Sequence, residues 1–324
     1  MIDSQDLLKM RVVPVSLIIP VYNAASTLER CIRSINTGLL PQEIIIVDDA
    51  SVDESALVVN RLANVYSNIK LISRPTNGGI AAARCDGFRA AQCDYVAIVD
   101  ADDYLEDGAL EEAYNTLVET GSDICIWQFW RVEKDRTYEL IDLTKVPFPI
   151  TGQDAVERTL GSWSIHPLGV GRKEVYLKAY AGFSLTSTNA DEMITRLLFV
   201  NAGKVVSCKK KYYYVANPQS PTSTINPRRL TVLDSELWLL EFCKARGSNK
   251  YREQLGWCMS YMWTLFRLRK GIGIEETRVK LRRFTFDVCF VSGFFPGILF
   301  IEGKPLLKFI LVGLYCRIPL FGKW

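Results

Sequence analysis

The chain has 324 residues, of which 48% are hydrophobic and 23% charged, and this composition excludes a disordered or fibrous protein. A chain of this length can form one domain of about 200 residues and an appendage. Its nine cysteines stand singly with no CxxC pair, and its only histidine is His166, so the sequence disfavours a disulfide framework and a zinc site. Because we find no signal-peptide pattern at the N-terminus, we expect reduced thiols and a cytoplasmic location.

The net charge of +3 conceals an uneven distribution of charge along the chain. Residues 244–324 carry 15 lysines and arginines against 5 aspartates and glutamates, a net charge of +10 that leaves −7 on residues 1–243. A basic C-terminal region of this kind favours an anionic partner, either lipid headgroups or nucleic acid.

The first 120 residues predict strands and helices in alternation. Short runs rich in valine and isoleucine predict four buried strands, at residues 15–22, 43–48, 69–73 and 94–99. Periodic apolar residues that follow capping residues or glycine turns predict four helices, at residues 26–38, 53–66, 80–91 and 108–120. This alternation is typical of an α/β fold with a parallel sheet and helices on both faces.

The pattern changes after residue 122. Two segments predict antiparallel strands that extend the sheet, 123–132 and 137–143, and two predict helices, 173–182 and 191–202. Residues 204–227 predict a strand and then a surface loop, and the remainder predicts helices. We therefore expect a sheet domain over residues 1–227 and a helical region over residues 228–324.

Polar residues follow three of the predicted strands at the point where each strand ends. Ligands of parallel α/β sheets bind outside the carboxyl ends of the strands, so these residues would lie at a ligand-binding edge. They are Pro20, Tyr22 and Asn23 after the first strand, Asp48 and Asp49 after the second, and Asp100, Ala101, Asp102 and Asp103 after the fourth.

The DADD run at residues 100–103 places three carboxylates within four positions, where they repel one another unless a positive group lies between them. An Asp-x-Asp at a strand end suits a hard divalent cation such as Mg²⁺ or Mn²⁺, which binds carboxylates, water and substrate phosphates. The alternative is helix capping, in which Asp102 or Asp103 caps the next helix and the other acids are solvated. The acidic ends of the other strands favour the cation.

Two further loops at this edge allow a functional and a structural interpretation. Asp48 or Asp49 could accept hydrogen bonds from a nucleobase or a ribose, or could form a turn. The turn at Asn77-Gly78-Gly79 permits close backbone approach, and Arg84 in the following helix could meet a phosphate or a carboxylate. Neither GxGxxG nor GxxxxGK[ST] is present, so the sequence gives no support to a dinucleotide or P-loop site.

Taken together, VSLIIPVYN, EIIIVDDAS, NGGIAAAR and DADD, in this order and spacing, resemble family-2 glycosyltransferases with the GT-A fold over about residues 13–125. The resemblance implies a mixed, mainly parallel sheet and a nucleotide diphosphate sugar donor, usually of uridine. We expect Asp100 and Asp102 to bind Mg²⁺ or Mn²⁺ against the diphosphate. The residues expected to bind the donor are Pro20, Tyr22, Asn23, Asp48, Asp49, Asn77, Gly78, Arg84, Asp100, Ala101 and Asp102.

The resemblance also implies a catalytic base at Asp191, in the stretch TNADE at residues 188–192. Family members usually carry an Asn-Glu-Asp-type motif there, and this chain has Ala190 in place of the glutamate. The structural alternative is an acidic residue in the first turn of a helix, stabilised by the helix dipole. Residues 212–220 resemble the loop that closes over diphosphate and acceptor. His166 and Trp163 are interpreted as structural residues, with the acceptor site as the alternative.

The C-terminal tail contains two apolar runs, of 14 residues from Val288 and of 17 residues from Pro305. Spanning a bilayer takes about 20 apolar residues, and Pro296 interrupts the first run and two cations the second. We therefore expect peripheral contact with an anionic membrane, with packing of a helical subdomain as the alternative.

These observations predict an inverting, metal-dependent glycosyltransferase at the inner face of the plasma membrane. It would transfer sugar to a saccharide or polyprenyl-linked acceptor in bacterial surface polysaccharide synthesis, and we expect no nucleic-acid partner. One alternative is a sugar nucleotidyltransferase, which should carry a glycine-rich, arginine-bearing loop where this chain has PVYNAAST. The other is a non-catalytic peripheral membrane scaffold.

Overall fold

The computed structural model describes residues 12–35, 40–161, 163–181, 190–217 and 227–291. The chain divides into two compact units, which are described separately. The first takes the described residues of Met1–Arg158, Ser164–Thr186 and Ile194–Asn217. The second takes those of Thr159–Trp163, Ser187–Met193 and Pro218–Trp324.

Half of the sheet in the first unit is parallel and follows the predicted strands. Its strands pair in the order β3-β2-β1-β4. They are β1 (Val12–Val21), β2 (Leu40–Asp48), β3 (Ile69–Ser73) and β4 (Tyr95–Ile98). Residues 15–21 of β1 are buried without interruption, as expected for a parallel strand covered on both faces.

Three helices connect these parallel strands, as the sequence pattern predicts, and a fourth follows β4. The connecting helices are α1 (Leu28–Ile35), α2 (Ser55–Ala63) and α3 (Ile80–Ala90), and the fourth is α4 (Ala109–Thr120). The Asp53 carboxylate accepts a hydrogen bond from the backbone N–H of Ser55 at 3.0 Å, so it satisfies a donor at the start of α2. The predicted α/β alternation is therefore confirmed.

The other half of the sheet is mixed. The strand β9 (Gly169–Arg172) runs antiparallel to both β4 and β6 (Ile124–Val132), and so joins the two halves. β10 (Lys204–Val215) runs parallel to β6. Short antiparallel strands complete the sheet, with β7 (Thr137–Ile141) on β6 and with β5 (Tyr104–Leu105) and β8 (Ile150–Thr151) on β10. The helices of this part of the chain are α5 (Gly152–Glu157), α6 (Lys173–Tyr180) and α7 (Ala190–Asn201).

The second unit contains three long helices around their own apolar core. They are α8 (Val232–Ala245), α9 (Tyr251–Ile272) and α10 (Ile274–Val291), after a 3₁₀ turn at Pro227–Thr231. Side chains from all three helices are fully buried in this core, among them Leu240, Met259 and Leu281. The Gln254 amide donates to the buried Glu236 carboxylate at 2.9 Å, which keeps that acid from being buried without a partner.

None of the helices in the described ranges is both long enough and apolar enough to cross a membrane. The apolar runs of the tail lie almost entirely outside the described residues, which end at residue 291. Peripheral membrane contact through this region stays a prediction.

Candidate active site

The loops after β1 and β2 are joined by reciprocal hydrogen bonds at the carboxyl edge of the sheet. The Asn23 side-chain oxygen accepts from the backbone N–H of Val52 at 2.8 Å, and the backbone N–H of Asn23 donates to the Ser51 hydroxyl at 3.0 Å. Asn23 has a positive φ of 52°, which asparagine tolerates better than most residues. Pro20 is buried in β1, whereas Tyr22 is 50% exposed beside the edge. The loop therefore leaves Tyr22 accessible to a ligand.

The carboxylate of Asp49 is bound by the chain itself. It accepts hydrogen bonds from the backbone N–H groups of Gly78 at 2.9 Å and Gly79 at 2.7 Å, and it forms an ion pair with Arg74. Its neighbour Asp48 accepts a hydrogen bond from the backbone N–H of Ser51 at 3.1 Å, which closes a turn. In this structure the main contact of Asp49 is thus the glycine turn, and its predicted contact with a nucleoside stays a prediction.

At residue 78 the glycine turn lies directly against the Arg74 side chain. A Cβ at Gly78 would displace the Arg74 guanidinium from its present position, and with it the ion pair to Asp49. The Asn77 amide donates to the backbone carbonyl of Asp49 at 3.2 Å, which ties the turn to β2 from a second position. The sequence pattern identified Asn77 and Gly78 but missed Arg74, for which the only signal is its position at the end of β3.

In the turn after β4, the carboxylates of Asp100 and Asp102 each have a protein partner at one of their two oxygens. Asp100 Oδ1 pairs with the buried Arg84 guanidinium at 2.7 Å, and Asp102 Oδ2 accepts from the Asn217 amide at 3.0 Å. Ala101 is buried between them, and the Arg30 guanidinium donates to the backbone carbonyl of Asp102 at 2.5 Å. Of the two partners considered for Arg84, a phosphate and a carboxylate, the structure therefore shows a carboxylate.

The third acid of the turn, Asp103, is fully buried and braces the turn against β10. Its carboxyl group accepts from the Tyr212 hydroxyl at 2.6 Å and from the backbone N–H of Val215 at 2.8 Å. Tyr212 also accepts from the backbone N–H of Asp100 at 3.1 Å. Burial and the nearby charge of Asp100 raise the pKa of Asp103 to about 8. At neutral pH Asp103 is therefore mostly protonated, which lowers the repulsion expected from the sequence.

The donor set at this turn fits a divalent cation that also binds substrate. Within the described part of the chain, neither Asp100 Oδ2 nor Asp102 Oδ1 makes a hydrogen bond. Hard cations take carboxylate oxygens together with phosphate oxygens and water. Among the described residues, no cluster of three or more histidine, cysteine or acidic side chains is placed to hold a metal ion.

Asp191 lies in the first turn of α7 and is exposed. The preceding residues of its motif, Thr188 and Asn189, lie outside the described residues, as do residues 218–220 of the predicted closing loop. Its role as a catalytic base stays a prediction.

His166 has a structural environment in the first unit. Its ring stacks on Phe129 with centroids 4.1 Å apart and planes 7° apart, and its Nδ1 accepts from the backbone N–H of Leu168 at 3.2 Å. Burial and the positive charge of Arg84 lower the pKa of His166 to about 3, so the imidazole is neutral near pH 7. The interpretation of His166 as a packing residue agrees with these contacts. Trp163, in the second unit, is 36% exposed.

The chain is similar in sequence to a known protein family. The model of glycosyl transferase family 2 matches residues 16–176. A cholesterol galactosyltransferase of Borreliella burgdorferi is 37% identical over 148 residues, which are 45% of this chain and 41% of that protein. A poly(ribitol-phosphate) beta-glucosyltransferase of Bacillus spizizenii is 38% identical over 116 residues, 35% of this chain and 18% of that protein. The chain thus matches less than half the length of either relative.

The same fold occurs in TarS of S. aureus. The structure of TarS 1–349 in complex with UDP-GlcNAc aligns with a TM-score of 0.65 at 18% identity, covering 94% of this chain and 91% of that one. At this identity the likeness shows a shared fold and nothing about function. The family model identifies residues 16–176, close to half of the chain, as a glycosyl transferase family 2 domain, and the shared fold confirms the predicted GT-A architecture.

Proposed function

We propose that the chain is an inverting glycosyltransferase that moves a sugar from a UDP-linked donor to a hydroxyl of a glycan or lipid-linked saccharide in surface polysaccharide synthesis. The observation that carries the proposal is the turn after β4, where Asp100 and Asp102 each keep one carboxylate oxygen without a protein hydrogen bond in the described residues. Relatives named for galactosyl and glucosyl transfer, and a fold relative in complex with UDP-GlcNAc, support the reaction class.

In this proposal the protein orients the donor at the strand ends and removes one proton. Tyr22 is accessible beside the edge, Asp100 is positioned by Arg84, and Asp102 is positioned by Asn217. A bound Mg²⁺ or Mn²⁺ would neutralise negative charge on the departing diphosphate. The acceptor oxygen forms a bond to the anomeric carbon from the face opposite the diphosphate, the bond from that carbon to the diphosphate breaks, and the acceptor proton passes to Asp191.

The reaction class is tested by incubating the purified chain and Mn²⁺ with UDP-, GDP- and dTDP-sugars, with and without a polyprenyl-linked saccharide. We expect acceptor-dependent release of UDP. The same assay with a nucleoside triphosphate and a sugar 1-phosphate tests the nucleotidyltransferase alternative, for which pyrophosphate would be released. If no donor is bound or consumed, the scaffold alternative replaces the enzyme.

The role of Asp191 is tested by Asp191→Asn, with Glu192→Gln in the same helical turn as the matched control. Loss of a general base lowers turnover by about 10²–10⁴-fold, while binding of UDP with Mn²⁺, measured by calorimetry, should stay unchanged because the donor residues are intact. An Asp191→Asn variant with the turnover of the control would show that another group accepts the proton.

We further propose that the chain works at the cytoplasmic face of the membrane through its basic C-terminal region. The support is the net charge of +10 on residues 244–324 and the apolar runs that follow residue 287. Flotation with vesicles of phosphatidylglycerol and phosphatidylethanolamine tests it. Co-flotation should decrease as salt is raised, and a chain that never floats with these vesicles would leave packing as the role of the tail.

A further inference from the structure

A pocket of about 380 Å³ opens on the second unit, where a loop from Thr159–Trp163 lies against α9. Its walls are formed by Gly161, Glu253, Gly256, Trp257 and Ser260. The volume is within the range of small-molecule sites. None of these residues belongs to the donor site described above, so the pocket needs an explanation of its own.

Gly256 lines this pocket from the middle of α9, where glycine weakens a helix relative to alanine. Close packing often explains such a glycine, but a Cβ at residue 256 would meet no heavy atom of the described residues within 4 Å. Packing against the described part of the chain therefore does not require glycine at this position. A ligand that lies against the helix backbone would require it.

The indole of Trp257 is fixed in place but remains 48% exposed. Its Nε1–H donates to the backbone carbonyl of Gly161, so the polar atom of the ring is already satisfied. The ring also lies 6.2 Å from that of Tyr261 on the next turn of the helix. A fixed aromatic ring whose polar edge is occupied offers its apolar face to a ligand at little further cost in side-chain entropy.

A carboxylate and a hydroxyl group line the pocket together with this ring. Lys250 Nζ holds Glu253 Oε1 at 2.8 Å, while Glu253 Oε2 and the Ser260 hydroxyl make no hydrogen bonds within the described residues. Because the lysine charge is balanced by Glu253, the pocket has no excess positive charge for a phosphate or an anionic headgroup. A carboxylate and a hydroxyl suit a ligand that donates and accepts through several hydroxyl groups.

We propose that this pocket binds a neutral saccharide, whose C–H face packs on Trp257 and whose hydroxyls bond to Glu253 and Ser260. A pyranose ring combines an apolar face with a polar rim, and this combination matches the pocket. The site is independent of the proposed transfer reaction, since binding at Trp257 needs neither a donor nor Asp102. It assigns to the helical unit a role in holding a glycan.

The test uses the full chain labelled with 5-fluorotryptophan and read by ¹⁹F NMR, with Trp257→Phe to assign the Trp257 resonance. Maltohexaose, cellohexaose and chitotetraose are titrated separately. At least one of these oligosaccharides should shift the Trp257 resonance in a saturable manner. UDP with Mn²⁺ should leave that resonance in place, which separates this site from the donor site.

Gly256→Leu places a side chain in the pocket from a position where a Cβ meets no described atom within 4 Å, and Ala245→Leu adds the same side chain at an exposed position of α8 as the matched control. We expect Gly256→Leu to weaken oligosaccharide binding by about tenfold or more, with a melting temperature equal to or above that of the wild type, because leucine favours a helix over glycine. The control should bind as the wild type does. The two variants therefore distinguish a loss of oligosaccharide binding from a loss of folding.

Three results would overturn the proposal. In the first, no oligosaccharide shifts the Trp257 resonance, or the shift survives in Gly256→Leu. In the second, the resonance moves with protein concentration alone while sedimentation shows a dimer, which assigns the pocket to a second copy of the chain. In the third, only dodecylphosphocholine moves it, which assigns the pocket to lipid.

Discussion

The two acidic ends of β2 and β4 lie at the same edge of one sheet but have different environments. After β2, the Asp49 carboxylate accepts from Gly78 and Gly79 and pairs with Arg74. After β4, Asp100 and Asp102 have one protein partner each for their carboxylates within the described residues. The difference shows that an acid at the ligand edge can organise the site or bind a ligand, and that its hydrogen-bond partners decide which.

Asp102→Asn should have the largest effect, and the effect should be on activity. The amide is a weaker cation ligand and cannot neutralise the metal, so we expect sugar transfer with Mn²⁺ to fall by about 10²–10³-fold while the fold persists. The matched control is Asp107→Asn, an exposed acid a few residues later. Initial rates of UDP release measure both variants. Equal rates in the two variants would place the cation elsewhere.

Asp49→Ala should affect folding instead. Removing the carboxylate leaves the two backbone N–H groups of the glycine turn without their acceptor, while Arg74 keeps its second ion pair, with Asp86. We expect this loss to cost about 3 kcal/mol of unfolding free energy. Urea unfolding monitored by circular dichroism provides the measurement. Asp48→Asn retains the side-chain oxygen that accepts from Ser51 and should cost less than about 1 kcal/mol. If Asp49→Ala is as stable as this control, the network around the glycine turn contributes little.

The buried Asp103 should make stability depend on pH, with a smaller effect. Its pKa is raised from 3.8 to about 8 on folding, so its contribution is fully present below pH 3.8 and is lost as the pH rises through 8. Asp103→Asn cannot titrate. Relative to the wild type, this variant should therefore gain about 2 kcal/mol of unfolding free energy between pH 6.5 and 8.5.

Urea titrations of both proteins at a series of pH values measure this difference. A difference that is independent of pH would mean that Asp103 is ionised in the folded state throughout. In that case protonation of Asp103 would not relieve the repulsion among the acids of this turn.

Much of the fold could be predicted because its first half follows local patterns. The strands β1, β2 and β4 contain continuous apolar runs, and the helices between the strands have periodic ones. By contrast, β9 was missed, since its four residues GVGR include two glycines and lack a hydrophobic pattern. The parallel pairing of β10 with β6 was also not predicted, because pairing between strands distant in sequence leaves no local signal.

At the candidate site, the positions of the acidic residues could be predicted, but not their hydrogen-bond and ion-pair partners. Asp48, Asp49, Asp100 and Asp102 lie at the predicted edge because the ends of parallel strands meet there. Arg74 and Tyr212, which hold Asp49 and Asp103, gave no comparable signal. An arginine after a strand and a tyrosine inside one are common, and only the folded chain brings them to these carboxylates.

The sequence by itself determined the alternation of strands and helices, the acidic strand ends and the family. Only the tertiary structure decided which of these carboxylates has all its hydrogen bonds within the protein, which is protonated by burial, and which keeps an oxygen for a ligand. The partners of Asp49 and Asp103 lie between 25 and 112 residues away along the chain, so no local pattern records them. The charge and hydrogen bonding of a carboxylate depend on what surrounds it, and that is settled when the chain packs.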